Sequence, residues 1–313
     1  MAPHVGVLYE SDEWSDWKLR DELEAALGQP VAMVNMEAAE ALQQALACDV
    51  LVSRVFASAV FRGHNRAAQN MLQLVHMLEN DRLRASGGES SVGSAEKTPE
   101  FPRLINPPRA HRFEISKAAA ARTLEAAGLT VPRVQALDLP DSLKTQTATW
   151  DYPCIIKPDC GGRTTHTAVL RSAADAARFL DEAPAMVFIV EDYIRARGPF
   201  MTRAELVDGR IALVVKRSIA PSGLSSYHEG STYQLYPEYP PAVRDAVLAA
   251  ATALDFQFGS FDLIEAADGG VYLIDANSVS NVSEDCTELF QLDLMKAYAQ
   301  AIAVRVQETV PQE

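Results

Sequence analysis

Two aspartates lie in apolar runs that are typical of buried strands, within the stretch FDLIEAADGGVYLIDANSVSN. The Asp268–Gly269 dipeptide between the runs predicts a two-residue β-hairpin loop, which would place Asp262 directly opposite Asp275. Opposed side chains in an antiparallel pair are about 5 Å apart, and like charges there are destabilising. Asn277 follows Asp275 by two positions and points to the same face. Either this is a solvated sheet face with ordinary surface acids, or Mg²⁺ lies between the oxygens and cancels the repulsion.

Several basic side chains stand at the ends of apolar strands, where they could bind phosphate. Lys157 ends the run YPCIIKP and is followed by Gly161 and Gly162, whose loop offers free N–H groups. Lys216 and Arg217 end the run VVKRSI and point to opposite faces of their strand. The sequence has neither the Walker order GxxxxGK[ST] nor the Rossmann pattern GxGxxG. These residues therefore predict phosphate binding of another kind, and a strand ending in Lys-Pro is also a common ordinary turn.

Three further residues complete the candidate set. Lys117 lies in an alanine-rich helix, Arg203 lies in the strand-like FMTRAEL, and Glu191 ends the apolar run FIVEDYI. Each of them alone is equally well explained as a surface or structural residue. Combined with the aspartates, they match what a magnesium–nucleotide site needs, because cations neutralise phosphate and carboxylates hold the bridging metal.

Composition and charge exclude several classes of function. The chain has 313 residues, 48% of them hydrophobic, and a formal net charge of −14. This acidity argues against duplex nucleic acid and anionic membranes as partners. The four cysteines lack the paired spacing of a zinc site or a disulfide scaffold. The first residues do not resemble a signal peptide and no apolar segment is long enough to span a bilayer, so we expect a cytoplasmic protein.

The order of predicted elements divides the chain. Strands and helices alternate over residues 1–105, which predicts a small α/β domain with a parallel sheet. Within it, residues 82–102 are rich in Gly, Ser, Glu and Pro, and we expect a mobile surface insertion that proteases cut near Arg84 and Lys97. The remainder mixes strands and helices as in α+β folds.

From about Asn106 onward, the ordered motifs resemble those of the ATP-grasp superfamily. The quoted segments are INPPRAHRFEISKAAAARTLEAAGLTVPRV, YPCIIKPDCGGRTTH, VFIVEDYI and DLIEAADGGVYLIDAN. The Arg203 and KRSI strands resemble the branch that contains ribosomal-protein glutamate ligases and other carboxylate–amine ligases. The resemblance implies an ATP-grasp fold of α/β and α+β type. Residues 106–185 would form its small or lid part and residues 186–313 its C-terminal part with the metal hairpin, after a pre-ATP-grasp domain at 1–105.

The resemblance also implies a role for each candidate residue. The nucleotide would contact Lys117, Lys157, Gly161, Gly162, Glu191, Tyr193, Ile194 and Lys216. Two Mg²⁺ ions, with Mn²⁺ as an alternative, would bind Asp262, Asp275 and Asn277. Arg203 and Arg217 would steady the transferring phosphoryl group. The candidates for substrate binding are Arg54, Arg62, His228 and Ser278.

Three positions depart from the pattern of that branch. Asp275 stands where Glu is usual, Thr202 stands where Asp is frequent, and the SVSN segment after Asn277 lacks the usual proline or glycine.

We also expect Asp275→Asn to abolish turnover yet raise stability without magnesium, because it removes like-charge repulsion.

The function implied is that of an ATP-dependent carboxylate–amine ligase. It would form an amide or peptide bond through an acyl phosphate and release ADP and phosphate, and its substrates would be a small carboxylate and an amine such as amino acids or a peptide. A small-molecule kinase that uses the same nucleotide site is one alternative, and a non-catalytic ATP-binding regulator is another. The sequence identifies neither the acid nor the amine, and a homo-oligomer is compatible with it.

Overall fold

The computed structural model describes residues 2–86, 101–225 and 230–308. The chain divides into two compact units. Unit 1 comprises Met1–His111 together with Val279–Glu313, and unit 2 comprises Arg112–Ser278.

Unit 1 is built on a parallel sheet, as the alternation of strands and helices predicts. Its elements are β1 (Val5–Tyr9), α1 (Trp14–Leu27), β2 (Ala32–Asn35), α2 (Ala41–Leu46), β3 (Val50–Ser53), α3 (Asn65–Ser86), β4 (Arg103–Ile105) and α4 (Pro108–Glu114), in which the division between the units falls. The strand order is β2-β1-β3-β4, and every pair is parallel. Buried side chains from α2 and α3, such as Ala45, Met71 and Leu74, pack with strand residues into one core.

The helix α3 extends into the segment that composition assigns to an insertion. It continues through Ser86, four residues beyond the predicted start of the insertion at Arg82. Residues 87–100 of that predicted insertion, with the Lys97 cleavage site, lie outside the described residues. Arg84 falls within the helix.

Unit 2 contains two antiparallel sheets. Its elements are α5 (Lys117–Ala126), β5 (Val134–Asp138), α6 (Pro140–Lys144), β6 (Cys154–Pro158), β7 (Ala168–Leu170), α7 (Ala173–Glu182), β8 (Phe188–Asp192), β9 (Phe200–Val207), β10 (Arg210–Ser218), β11 (Tyr233–Leu235), α8 (Pro241–Leu254), β12 (Gly259–Glu265) and β13 (Val271–Asn277). The first sheet has the order β5-β8-β6-β7 and the second β11-β10-β9-β12-β13. Helices α5 and α8 pack together and against β13 of the second sheet.

The hairpin of β12 and β13 pairs Asp262 with Asp275, as predicted. Its loop and its strand pairing near the loop differ from the prediction. Its loop has three residues rather than two, since the Ala266 N–H donates to the Gly270 carbonyl at 2.8 Å. Alone, this longer loop would shift the register by one residue. A bulge at Ile274, between the pairs Leu263–Leu273 and Asp262–Asp275, restores it.

The C-terminal residues form two helices, α9 (Asp285–Phe290) and α10 (Leu294–Gln307), both in unit 1. α10 packs against α1, and its residues Ala299 and Ile302 are buried. The division therefore differs from the predicted segments 1–105, 106–185 and 186–313, because the buried face of α10 is covered by a helix from the start of the chain. No helix in the described ranges is long and apolar enough to cross a membrane.

Candidate active site

A cleft in unit 2 is lined by residues from both of its sheets. It contains about 950 Å³ of empty space, part of it open solvent. Ten predicted residues line it: Lys117, Lys157, Gly161, Gly162, Glu191, Tyr193, Ile194, Arg217, Asp262 and Asp275. The fold thus brings together predicted residues that lie up to 158 positions apart in the sequence, from Lys117 to Asp275.

Lys117 and Asp275 form an ion pair at one end of this cleft. Lys117 is the first residue of α5, and its Nζ lies 3.0 Å from Asp275 Oδ1 and donates to the Gly161 carbonyl at 3.0 Å. Burial alone would lower the pKa of Lys117, but the carboxylate of Asp275 more than offsets it, so the pKa is raised. Burial would likewise raise the pKa of Asp275, but Lys117 and Lys157 hold it below its ordinary value. Both groups are therefore charged at neutral pH.

Lys157 contacts the bulge of the metal hairpin. It stands near the end of β6, where its Nζ donates to the Ile274 carbonyl at 2.8 Å and lies 2.7 Å from Glu191 Oε2. A bulged residue is left out of the ladder, so its carbonyl is available to a side chain. The bulge that preserves the Asp262–Asp275 pair thus also fixes the position of a lysine.

Asp262 is held by two arginines, one from the adjacent strand β9 and one from β10 beyond it. Arg203 Nη1 lies 3.2 Å from its Oδ1, and Arg217 Nη2 lies 3.0 Å from its Oδ2. Arg203 Nε also donates to Glu205 at 2.7 Å. Burial opposes the charge of Arg203, but the carboxylates of Glu205 and Asp262 more than offset this, so its pKa is raised. The opposed aspartates are therefore neutralised by protein cations.

These ion pairs reverse the expectation for the stability of Asp275→Asn. Repulsion between Asp262 and Asp275 would make the substitution stabilising if the two carboxylates had only each other as neighbours. Instead, each is bonded to cations, and the substitution would leave Lys117 buried without its carboxylate. We therefore expect a loss of stability.

Lys216 lies on the opposite face of the sheet from the cleft. It pairs across β9 with Thr202, whereas Arg217 pairs with Met201, which lines the cleft. The Lys216 ammonium lies 4.3 Å from the ring centre of Phe200 and 4.1 Å from that of Tyr236. The assignment of Lys216 to the phosphates is corrected here, because strand alternation turns it away when Arg217 faces the cleft.

Thr202 shares that far face and is fully buried. Its hydroxyl donates to Glu265 at 2.9 Å. Thr202 is therefore used for hydrogen bonding behind the sheet.

Apolar side chains also line the cleft, which the sequence did not predict. They belong to Ile155, Ile264, Met201 and Leu224, and Tyr193 and Ile194 line the cleft as well. Within the described ranges, the Ile194 N–H and carbonyl have no backbone partner, whereas the Tyr193 N–H bonds to Pro153. The apolar alternation of the strands was the available signal, but it does not indicate which face of a strand borders a cavity.

The loop from Gly161 to Thr167 lines the same cleft as the lysines and has an unusual backbone. Arg163, Thr164 and His166 all have positive φ, between 51° and 60°. Side chains rarely adopt this conformation, and a β-branched residue such as Thr164 least of all.

The neighbouring Cys160 is protonated at neutral pH, because burial raises the pKa of its thiol to about 11.

The substrate-binding candidates are not gathered in this cleft. Arg54 and Arg62 belong to unit 1, where Arg54 Nε lies 2.8 Å from Asp16 Oδ1 and Arg62 bonds to Glu10 and Glu13. Ser278 donates through its N–H and its hydroxyl to Glu114, at 2.6 and 3.0 Å. His228 lies outside the described residues.

The two aspartates alone do not make a complete cation site. Asn277 pairs with Ser260 two positions further along the hairpin and does not line the cleft. Among the described residues, no group of three His, Cys, Asp or Glu side chains is placed to hold a metal. This fits Mg²⁺ that arrives with a nucleotide, since Mg²⁺ is commonly bound by one or two carboxylates, substrate phosphates and water.

Comparisons with known proteins identify relatives of the fold only. No family model matches the chain, and no curated protein is found to be similar to it. Among solved structures, D-cycloserine synthetase DcsG is similar at 16% identity and a TM-score of 0.67, covering 96% of this chain and 99% of the other. The RimK domain ATP-grasp protein of Sphaerobacter thermophilus DSM 20745 is similar at 17% identity and a TM-score of 0.64, covering 96% and 98%. The ATP-grasp ligase PsnB, complexed with minimal precursor, Mg and ADP, has 16% identity and a TM-score of 0.60 over 97% and 98% of the chains.

Proposed function

We propose, on the premise that the chain has the ATP-grasp fold which these structures share, that it is an ATP-dependent carboxylate–amine ligase. One observation carries the proposal: cations and a pair of opposed aspartates line the same cleft as a set of apolar side chains. A nucleoside triphosphate has both matching parts, a flat base and a charged phosphate chain.

The nucleotide would lie along the cleft. Adenine would pack between Ile155, Ile264 and Leu224 and bond to the free backbone groups of Ile194. Lys117 and Lys157 would bind the phosphates, and Gly161 and the following loop would cover them. In this orientation the γ-phosphate reaches the aspartate pair.

Asp262 and Asp275 would hold magnesium against the phosphate oxygens. When bound, the metal supplies positive charge that stabilises the transferring phosphoryl group. Arg203 and Arg217, which bond to Asp262 here, would neutralise charge on the same oxygens. The number of ions and the use of Mn²⁺ remain part of this proposal, as does a contribution from Asn277.

The proposed reaction has two steps. An oxygen of the substrate carboxylate attacks the γ-phosphorus, and the bond to the ADP oxygen breaks. The amine nitrogen then attacks the carbonyl carbon of the acyl phosphate, the carbon–oxygen bond to phosphate breaks, and the nitrogen loses a proton. The chain's arginines and lysines assist by neutralising charge on the oxygens throughout.

The names of similar proteins suggest the class of substrate. One is a D-cycloserine synthetase, and another is a ligase that has also been solved in complex with a precursor peptide. We propose amino-acid-like or peptide substrates for this chain, with Arg54, Arg62, His228 and Ser278 as residues to test for substrate binding.

The decisive experiment incubates the protein with MgATP and pools of amino acids and small acids and follows nucleotides and new masses. We expect ADP and an amide, and hydroxylamine should divert the acyl phosphate to a hydroxamate. Stoichiometric AMP would refute the acyl-phosphate mechanism. A phosphorylated alcohol would support the kinase alternative instead, and ATP binding without turnover of any pool would support the regulator.

A further inference from the structure

The N-terminus of α5 is closed by two residues, and one of them comes from the strand that carries Lys157. The first four N–H groups of a helix have no partner within it. Here the Lys117 N–H bonds to the Asp159 carbonyl at 3.0 Å and the Ala118 N–H to Asp159 Oδ1 at 2.8 Å. The Ala119 N–H bonds to the Ser116 hydroxyl at 3.1 Å, and the Ala120 N–H makes the first bond within the helix, to the Ser116 carbonyl at 3.1 Å. The N–H groups of residues 117–119 are therefore all satisfied.

Asp159 also orients the Ser116 hydroxyl, the second side chain that caps α5. Its Oδ2 accepts a hydrogen bond from the Ser116 hydroxyl at 2.9 Å, which orients that hydroxyl oxygen toward the Ala119 N–H. Its negative charge lies at the positive end of the helix dipole. Asp159 thus holds the helix end through its backbone and through both carboxylate oxygens.

The same residue is anchored to the sheet. Asp159 follows β6 directly, two positions after Lys157, and its N–H donates to the Val187 carbonyl at 3.0 Å. Lys117 begins the helix that Asp159 caps, and its Nζ returns to the Gly161 carbonyl of the loop that follows Asp159. The spacing between the two lysines is therefore set through this one residue, although Asp159 itself does not line the cleft.

We propose that Asp159 is the positioning residue of the phosphate site: it holds Lys117 and Lys157 at the separation that binds a nucleotide diphosphate group. It acts through the lysines and makes no contact with the nucleotide. Because Asp159 and Ser116 bond the N–H groups of residues 117–119, phosphate is recognised there by lysine ammonium groups and not by those helix N–H groups. The inference rests on the proposed function, since it assigns a role in nucleotide binding.

The test compares Asp159→Ala, Asp159→Glu and Asp159→Asn with the wild type. The dissociation constant of MgADP is measured by calorimetry at 20 °C, and each variant's thermal midpoint is recorded. We expect Asp159→Ala to weaken ADP binding about tenfold. Asp159→Glu keeps the charge but moves the oxygens, so it should weaken binding while remaining folded. Asp159→Asn keeps an acceptor for the Ala118 N–H and should stay within about threefold of the wild type.

A matched control separates positioning from helix stability. Ser172 caps α7, which has ten residues like α5, by accepting from the Asp175 N–H. Ser172→Ala removes a comparable cap in unit 2, so it should lower the thermal midpoint and leave the ADP constant unchanged. Equal weakening by Ser172→Ala, or an Asn variant as weak as the Ala variant, would overturn the proposal.

A second readout does not depend on nucleotide. Acetylation rates of single lysines, followed by mass spectrometry, report how firmly Lys117 is held relative to the exposed Lys296. Asp159→Ala should raise the Lys117 rate at least fivefold, and Ser172→Ala should not. If the wild type fails to bind ADP, the proposed function is refuted, while an unchanged Lys117 rate in Asp159→Ala refutes the positioning role separately.

Discussion

Four cations in and beside the cleft are each paired with carboxylates of the protein. They are Lys117, Lys157, Arg203 and Arg217, and the carboxylates belong to Asp275, Glu191, Glu205 and Asp262. A metal alone would have to compete with arginine for Asp262 and with lysine for Asp275. Phosphate alone would have to draw those cations from their carboxylates. Nucleotide and metal together satisfy both sets, so their binding should be strongly coupled.

This coupling predicts that Mn²⁺ binds weakly to the free protein and tightly with ADP. We expect at least a tenfold difference in the dissociation constant, measured from the electron paramagnetic resonance signal of free Mn²⁺. Arg217→Met removes one of the two cations on Asp262 and should strengthen binding of Mn²⁺ without nucleotide. Equal Mn²⁺ affinity with and without ADP would contradict the exchange of partners.

The Lys117–Asp275 pair makes a second prediction, concerning stability and pH. The pKa of Asp275 is lowered, so its contribution is present above the pKa of unfolded Asp and is lost as pH falls through the folded value. The pKa of Lys117 is raised, so its contribution is lost only as pH rises through its folded value. Asp275→Asn should therefore be less stable than the wild type at pH 7, by roughly 1–3 kcal/mol, and the difference should shrink below about pH 4. Turnover should be abolished.

Urea unfolding at pH 7 and pH 3 checks this prediction, and Lys117→Met with the double variant completes a mutant cycle. The cycle should return a favourable coupling at pH 7 that is smaller at pH 3. An Asp275→Asn variant that is more stable than the wild type at pH 7 would show instead that repulsion between Asp262 and Asp275 outweighs the ion pairs.

At the scale of elements, the metal hairpin illustrates what sequence can and cannot predict. Its strands, its turn and the pairing of Asp262 with Asp275 follow from alternation and from the Asp268–Gly269 signal. The longer loop and the bulge at Ile274 do not, because they depend on a contact with Lys157 from a distant strand. The two deviations cancel in the register, so the predicted pair was correct although the predicted loop was not.

Gly259 provides an element-scale prediction at the base of the same hairpin. Its φ is +138°, and a Cβ there would lie 2.2 Å from the Asn277 carbonyl oxygen, a backbone atom that cannot move without separating β12 from β13. Gly259→Ala should cost about 2–4 kcal/mol of unfolding free energy. Gly209 also has a positive φ, +70°, but open space around it, so Gly209→Ala should cost only about 1 kcal/mol. Chemical denaturation compares the two, and equal losses would mean that crowding by Asn277 is unimportant.

At the scale of the whole molecule, the sequence predicts which helices and strands form better than it predicts which of them pack into the same unit. Residues 1–105 read correctly as parallel α/β, and the resemblance to ATP-grasp proteins is confirmed for the fold. The return of α10 to unit 1 could not be predicted. The apolar stripe of a helix indicates that one face is covered, but not which part of the chain covers it.

Membership of α10 in the core of unit 1 can be tested by paired substitutions on one helix. Ile302 is 1% exposed and Val304 is 56% exposed, two positions apart. Ile302→Ala should leave a cavity in unit 1 and cost about 2–4 kcal/mol, whereas Val304→Ala should change stability by less than about 0.5 kcal/mol. Hydrogen exchange locates the effect: because α10 packs against α1, amides of α1 should lose protection along with those of α10 in Ile302→Ala. Loss of protection confined to α10, with α1 unchanged, would show that residues 279–313 do not stabilise the N-terminal sheet unit, and the predicted segment 186–313 would then describe the chain better than the observed division.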